Sequence, residues 1–471
     1  MASSIEDVLA EVLKRVNPSE SEQKKVQGLA RKLTEKVEEA AKEKGLKTEI
    51  RVEGSVAKNT WLRDYPEIDV FMQVPITIPR EAFGTVFLEI AKKATAGYKQ
   101  IERFAEHPYL EAVIHDVYIN IVPCYNVKKS QWISATDRTP FHTDYIKPQL
   151  DEKMGEEVRL LKRFMRGIGV YGAEIKVGGF SGYLCELLVL NYGSFIEVLG
   201  ASTNWSEGLV IDYEGQYDSV NDVKKVFEEP FIMVDPVDKG RNVAAAVREE
   251  RLNEFIAASR EFLKNPDMKY FYPPETKALE STELINRINA RGSTIIFIKF
   301  EGEAPVPDIL WGQLYKSKKA LRKTIQHYKF TVLRDDIWSN EKDLNILIYE
   351  VENRFLPKMK KHLGPPLKNI VDCEKFLRKH LVANSTVSGP RIDEGRWVAE
   401  VKRVYFDVAK LLKEKLEDGG RSLGVAELIS EFIANSLEIL INDEALKVYS
   451  GYPKFAKFLT EYLEGKPRWL T

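Results

Sequence analysis

The chain has 471 residues, 44% hydrophobic and 30% charged, which suits a globular protein too long to be organised around one core. A net charge of −1, from 70 Lys and Arg against 71 Asp and Glu, excludes a uniformly basic coat for nucleic acid and leaves basic patches as the alternative. No run approaches the roughly 18 to 20 unbroken apolar residues of a membrane span, and Cys124, Cys185 and Cys373 are scattered like buried reduced thiols of a cytoplasmic protein.

Residues 5–16 read as a first helix, amphipathic and acid-bearing unlike a targeting peptide, and stopped by Asn17-Pro18. A longer helix runs to about Lys44, with Gly45 as its stop. Residues 47–52 read as a strand feeding a Gly-Ser turn at Gly54 and Ser55. A short helix around 58–62 is expected to start there with its N-terminus toward a phosphate. An apolar strand follows at 68–74. On it Glu67 and Asp69 stand two apart and point the same way, because strand side chains alternate faces. Adjacent anions repel unless a cation sits between them, and hard oxygen ligands suit Mg²⁺. Taken alone, E-x-D is also what an acidic solvent face looks like. The upstream turn changes that, since Gly54 and Ser55 offer N–H groups and a hydroxyl to a phosphate. A phosphate cradle beside metal carboxylates is the equipment of a nucleotidyltransferase.

After a helix near 80–94, two apolar runs at 109–114 and 117–123 flank a hairpin turn at His115-Asp116. Residues 1–147 thus read as a small mixed sheet with helices on one side. In the second run Tyr118, Asn120 and Val122 share a face. Asn120 lies where a third acidic ligand is expected if this strand pairs beside the first, and it is an amide. Asp116, roughly 13 Å away in the turn, is too far to substitute. Residues 138–142 read as a turn carrying one imidazole, His142. From 151 the period becomes helical, with Val158, Leu161, Phe164, Met165 and Ile168 on one face and Arg159, Lys162, Arg163 and Arg166 on or beside the other. Gly167, Gly169 and Gly172 break this helix around Tyr171, and Ser181 caps another at 182–192. Residues 232–234 lead through Asp235 and Arg241 to a helix ending near 264. Residues 148–265 are therefore expected to form a helical second domain, and Pro266, Pro273 and Pro274 mark a linker. Beyond it, a strand at 294–300, a helix at 309–328, strands at 330–338 and 344–351 and a helix at 397–415 predict a ferredoxin-like sheet, a kind that presents a face to RNA. Cations gather here, six at 312–329 with no acid and eight at 354–379 against Asp372 and Glu374.

The ordered motifs GSVAKNTW (54–61), EIDVF (67–71), AEHPYL (105–110), IVPCY (121–125), RTPFH (138–142), EVRLLKRFM (157–165), GVYGAEIKVGGFSGYLCELL (169–188), VDPVDKGRNVAA (234–245) and DEGRW (393–397) cover most of the chain. Together they resemble the archaeal-type, class I CCA-adding enzymes, tRNA nucleotidyltransferases of the polymerase-β superfamily. The resemblance implies an α+β, multidomain protein: a nucleotidyltransferase head (1–147), a helical neck that recognises the base (148–265), and a ferredoxin-like body with a helical tail that grips the tRNA acceptor arm (266–471). It implies template-free addition of C, C and A to the tRNA 3′ end from CTP and ATP with Mg²⁺. Ser55 and Lys58 match triphosphate contacts, Lys58 standing where the family more often has an arginine fork. His142, Lys162 and Tyr171 match further nucleotide contacts, and Arg241 the residue that reads the base edge. Glu67 and Asp69 match two of three metal carboxylates. Asn120 departs from the third, and an amide cannot accept the proton of the attacking hydroxyl. Two readings stay open, a single exchange in an otherwise ordinary enzyme or a chain that binds tRNA and nucleotide yet transfers poorly. A poly(A)-type polymerase is a further alternative. Arg396 and Trp397 are candidate RNA contacts through phosphate pairing and stacking, and a homodimer is left open.

Overall fold

The computed structural model describes residues 4–104 and 107–471, so Ala105 and Glu106 of the AEHPYL motif lie outside the described residues. The chain forms two compact units, one running to Glu275 and completed by Lys466–Thr471, the other Thr276–Gly465.

In the first unit, α1 (Ile5–Val16) and α2 (Glu20–Glu43) each start from a serine in a capping box, Ser4 with Asp7 and Ser19 with Glu22. There follow β1 (Glu49–Glu53), the one-turn α3 (Gly54–Ala57), β2 (Glu67–Val74), α4 (Val86–Ala94), β3 (Lys99–Phe104), β4 (Pro108–Ile114) and β5 (Val117–Tyr125). The strands make one sheet in the order β1-β2-β5-β4-β3. Only β2 and β5 are parallel, in a register that sets Glu67 opposite Tyr118 and Asp69 opposite Asn120. Alternation sends Ile68, Val70, Met72, Ile119 and Ile121 into a core with Val26, Leu33 and Val37 of α2 and Phe87 and Ile90 of α4. The same alternation turns Glu67, Asp69 and Asn120 to the opposite face. A one-residue slip would bury all three carboxyl and amide groups, so the apolar pattern fixes the site. His115 and Asp116 both take left-handed backbone, φ +49° and +62°, as a two-residue hairpin requires.

The unit continues with α5 (Thr139–Ile146), α6 (Glu152–Ile168), α7 (Gly182–Tyr192), α8 (Phe195–Ser202), β6 (Leu209–Ile211), α9 (Val220–Lys224), β7 (Phe231–Met233) and α10 (Glu249–Lys264), with β6 and β7 a parallel pair. Phe164 of α6 is the hub of its core, with Phe195, Phe262 and Phe271 edge-on at 5.5 Å. After the second unit the chain returns, and Trp469 stacks on Tyr270 at 5.7 Å.

The second unit opens with α11 (Ser281–Ala290). Next come β8 (Thr294–Glu301), α12 (Pro307–His327), β9 (Val332–Ser339) and β10 (Leu344–Val351). An inserted three-stranded sheet holds β11 (Met359–Pro366), α13 (Ile370–Val382), β12 (Thr386–Asp393) and β13 (Arg396–Lys402). The main sheet is completed by α14 (Val408–Leu416), α15 (Glu427–Ser436) and β14 (Glu438–Ile441), and α16 (Leu446–Tyr449) and α17 (Pro453–Glu464) close the unit. The order β14-β8-β10-β9, antiparallel throughout, is ferredoxin-like as expected. No single helix among the described residues is long and apolar enough to cross a membrane.

Four expectations are corrected. The helix placed at 58–62 is α3, beginning at Gly54, because φ +68° there turns the chain straight out of β1 and Asn59 (φ +53°) ends it. Residues 139–146 are helical rather than a turn, Pro140 sitting in the first turn where its missing N–H is harmless. Arg159 and Lys162 are buried on α6 rather than turned outward. Arg159 donates to the carbonyls of Asn59 and Trp61 at 2.8 and 3.0 Å and so pins the loop after α3. Finally, Trp397 lies on a strand, not a helix. Trp397, Ala399 and Val401 alternate onto Phe376 of α13, and helix begins only at Val408.

Candidate active site

Gly54 is held by geometry. A Cβ built there would lie 1.9 Å from Asp69 Oδ2, on a backbone already left-handed. With it, Ser55, Lys58, Glu67, Asp69, His142, Lys162, Tyr171 and Arg241 line one cavity of about 330 Å³, together with Tyr183 and Glu186. Among the residues singled out from the sequence, this cavity gathers all of the nucleotide and carboxylate set except Asn120, which stands beside it. Arg396 and Trp397 lie in the second unit at the start of β13, half-buried. A larger recess of about 660 Å³ runs along α2 and is lined by Leu29, Trp61 and several lysines. It lacks a carboxylate pair, so volume alone does not mark the chemistry.

The carboxylates are bridged. The Asn120 amide donates from Nδ2 to Glu67 Oε1 at 2.7 Å and to Asp69 Oδ1 at 2.9 Å. Burial, and then repulsion from Asp69, pushes Glu67 up to about 7; burial also raises Asp69, against that amide bond and Lys58. Two half-buried acids that resist joint ionisation are a donor set a divalent cation fits. Among the described residues no group of three or more His, Cys, Asp or Glu is placed to hold a metal, so the third oxygen available is the neutral amide.

The cationic wall is organised by a residue the sequence reading passed over. Glu186 of α7 is 1% exposed and accepts from Lys58 Nζ at 2.5 Å, Thr60 Oγ1 at 2.7 Å and Lys162 Nζ at 3.3 Å. Burial works to raise the Glu186 carboxyl, but the two lysines outweigh it and hold it below its usual range. Burial also lowers Lys162, against the pull of Glu186. One negative and two positive charges leave a net cation facing the cavity. The short α3 has too few peptide dipoles to serve a phosphate through its N-terminus, so the Ser55 hydroxyl and these ammonium groups are the phosphate donors on offer.

On the far side Asp235, fully buried, accepts from His142 Nε2 at 2.9 Å, Arg241 Nη1 at 2.8 Å and the Tyr183 hydroxyl at 3.1 Å. Burial opposes its ionisation, yet His142 and Arg241 hold it well below the usual carboxylate range. Burial depresses His142 in spite of Asp235. The Tyr183 ring lies on His142 at 4.1 Å. Asp235 thereby fixes the guanidinium of Arg241 at the cavity wall. Its position was visible in VDPVDKGRNVAA, but an acid in a loop gives no sequence signal for what it will hold.

Known proteins align along the whole chain. Residues 34–142 match a nucleotidyltransferase domain, 156–272 the second domain of tRNA nucleotidyltransferase, and 291–442 the C-terminal domain of CCA-adding enzyme. The CCA-adding enzyme of Methanosarcina barkeri is 36% identical over 440 residues, 93% of this chain and 94% of its own length. That of Methanothermobacter thermautotrophicus is 39% identical over 373 residues, 78% and 81%, and that of Halobacterium salinarum 32% over 462, 98% of each. Fold, site and domain matches define a multidomain nucleotidyltransferase. Within that class, the chain belongs to the family of archaeal CCA-adding enzymes.

Proposed function

We propose that this chain extends the 3′ end of tRNA by C, C and A without a template, from CTP and ATP with Mg²⁺, in the cytoplasm. The observation that supports it most is the convergence of Ser55, Lys58, Lys162, Tyr171 and Arg241 on the Glu67–Asp69 pair in one cavity. Glu67 and Asp69 would hold the metal, with the Asn120 amide as a neutral donor once it turns its oxygen rather than Nδ2 toward them, and the ion would supply positive charge to the triphosphate and to the attacking hydroxyl. Ser55, Lys58, Lys162 and Tyr171 bind the triphosphate and sugar. Arg241, steadied by Asp235 and accompanied by His142, reads the base edge. Asn120 cannot take the proton of the 3′-hydroxyl, so transfer is weakened at that residue. In this reading residues 1–147 are the catalytic head, 148–265 the neck and 266–471 the body and tail. The last of these meets the acceptor arm through Arg396, Trp397 and the outward lysines of α12, Lys316, Lys319 and Lys323. Pairing of two copies is a separate part of the reading that sedimentation equilibrium measures.

The test is incorporation of labelled CTP and ATP into tRNA lacking its 3′ end, by this chain and by Asn120→Asp. We expect Asn120→Asp to be faster by about 10² or more, the usual worth of a positioned acid or base. Silence from both sinks the enzymatic reading, and a homopolymer tail instead of a stop after CCA assigns a poly(A)-type activity. One observation favours a second reading, a tRNA-binding homologue that does not transfer: the Asn120 amide already satisfies both carboxylates. That reading expects salt-steep tRNA binding and no rescue by Asp.

A further inference from the structure

Beside the cavity four side chains form a continuous stack. Tyr118 of β5 and Tyr65 lie parallel, centroids 4.7 Å apart and 18° from coplanar. The guanidinium of Arg166 on α6 sits 3.9 Å from the Tyr65 centroid and 4.8 Å from that of Tyr171. Tyr171 lines the cavity, whereas Tyr118 shares a strand face with Asn120 and stands opposite Glu67 in the register. The stack therefore starts at the nucleotide cavity and ends on the sheet surface beside the carboxylates. All four side chains are half-buried, and Arg166 has no ion-pair partner among the described residues, its Nε buried without a hydrogen bond. Its charge acts on the nearby Glu67 carboxylate without forming an ion pair, and cation–π contact on two rings holds it in place.

The sheet order decides what the open end can meet. Ser55 and Lys58 follow β1, on one side of β2, while Tyr118 lies on β5, on the other side. A nucleotide held by its phosphates on the β1 side leaves the β5 side for the second substrate. Resting on the function proposed above, we infer that Tyr118, backed by Tyr65 and Arg166, is the stacking platform for the 3′-terminal base of the acceptor RNA. An aromatic face suits this task because every base has a π-face, and a strand growing by C, C and A presents a changing end. Arg166 adds positive charge behind the rings for the strand's last phosphate. Tyr118 is the contacting residue; Tyr65 and Arg166 position it.

The test is a tRNA acceptor minihelix with 2-aminopurine as its 3′-terminal base and a separate 5′ label for affinity. Binding is read by anisotropy and stacking by 2-aminopurine quenching, with this chain, Tyr118→Phe, Tyr118→Ala and Tyr118→Leu. We expect quenching with the parent and Phe chains, its loss with Ala and Leu, and affinity about tenfold weaker for those two. CTP binding should stay within twofold in all four, which also certifies the fold. Minihelix binding without quenching in the parent chain, or full quenching with Ala or Leu, overturns the platform and leaves the proposed function standing. Absence of minihelix binding by the parent chain overturns both.

Discussion

Glu186 in the first unit and Glu350 in the second are both buried among cations, and the two arrangements part company in what they leave over. In the second unit Glu350, 1% exposed, takes Arg291 Nε at 2.7 Å and Nη2 at 3.2 Å, Arg334 Nε at 2.6 Å, and the Ser293 hydroxyl. Its arginines remain 32% and 27% exposed, and Arg334 lies 3.8 Å over Tyr462. Guanidinium forks consume the carboxylate, and their spare N–H groups go to the carbonyls of Leu463 and Tyr462. Glu186 is equally buried, but its cations are lysines with side chains only 6% and 3% exposed, and both line the cavity. An ammonium has N–H groups to spare after one bond, so the surplus charge is stored where an anion can reach it. The same ion count makes a structural knot in one place and, in the function proposed, an anion receptor in the other.

The largest effect that tests this contrast is loss of the acid. Glu186→Gln strands two buried lysines and should cost about 3 kcal/mol in denaturant unfolding, with weaker CTP binding because the lysines lose their orientation. Glu350→Gln, with half-wet partners, should cost about 1–2 kcal/mol and leave CTP binding unchanged. Equal CTP loss in both would break the contrast. Next comes loss of a cation. Lys162→Met should weaken CTP and ATP binding by about tenfold or more, measured by calorimetry, since hydrogen bonds to charged groups carry about 1.5–3 kcal/mol. Arg291→Met should not weaken it. The smallest effect is in pH. Both glutamates are held below the ordinary value of 4.5. Their stabilisation is thus complete above about pH 4.5 and lost as pH falls through the folded values. Either Gln variant should flatten that acid limb of the stability curve, and a limb of unchanged slope would count against the pairing.

Much of the fold was legible because alternation is a local signal. The E-x-D strand, the His115-Asp116 hairpin and the serine-capped α7 all followed from residues within a few positions of one another. What escaped was set by distant partners or hidden by charge. Glu186 looks like one acid in the apolar run LCELLVL; its lysines come from positions 24 and 128 residues away. A charge inside so apolar a helix was itself the available signal, since burial demands a partner. The strand at 99–104 was missed because Lys99, Glu102 and Arg103 mask its alternation, as charges on edge strands do. The helix expected from 397 borrowed its period from α14 and was extended back over a strand.

The return of the chain after its second unit has a consequence for synthesis. Phe164, Tyr270 and Trp469 belong to one core, and Lys269 donates to the carbonyl of Thr471 at 2.9 Å. On the ribosome residues up to Glu275 of this unit emerge before the second unit, yet one ring of their core, Trp469, is translated after it. Closure of the first unit's core thereby waits on synthesis of the second unit, and a ribosome that stalls within the second unit releases a fragment whose core lacks Trp469.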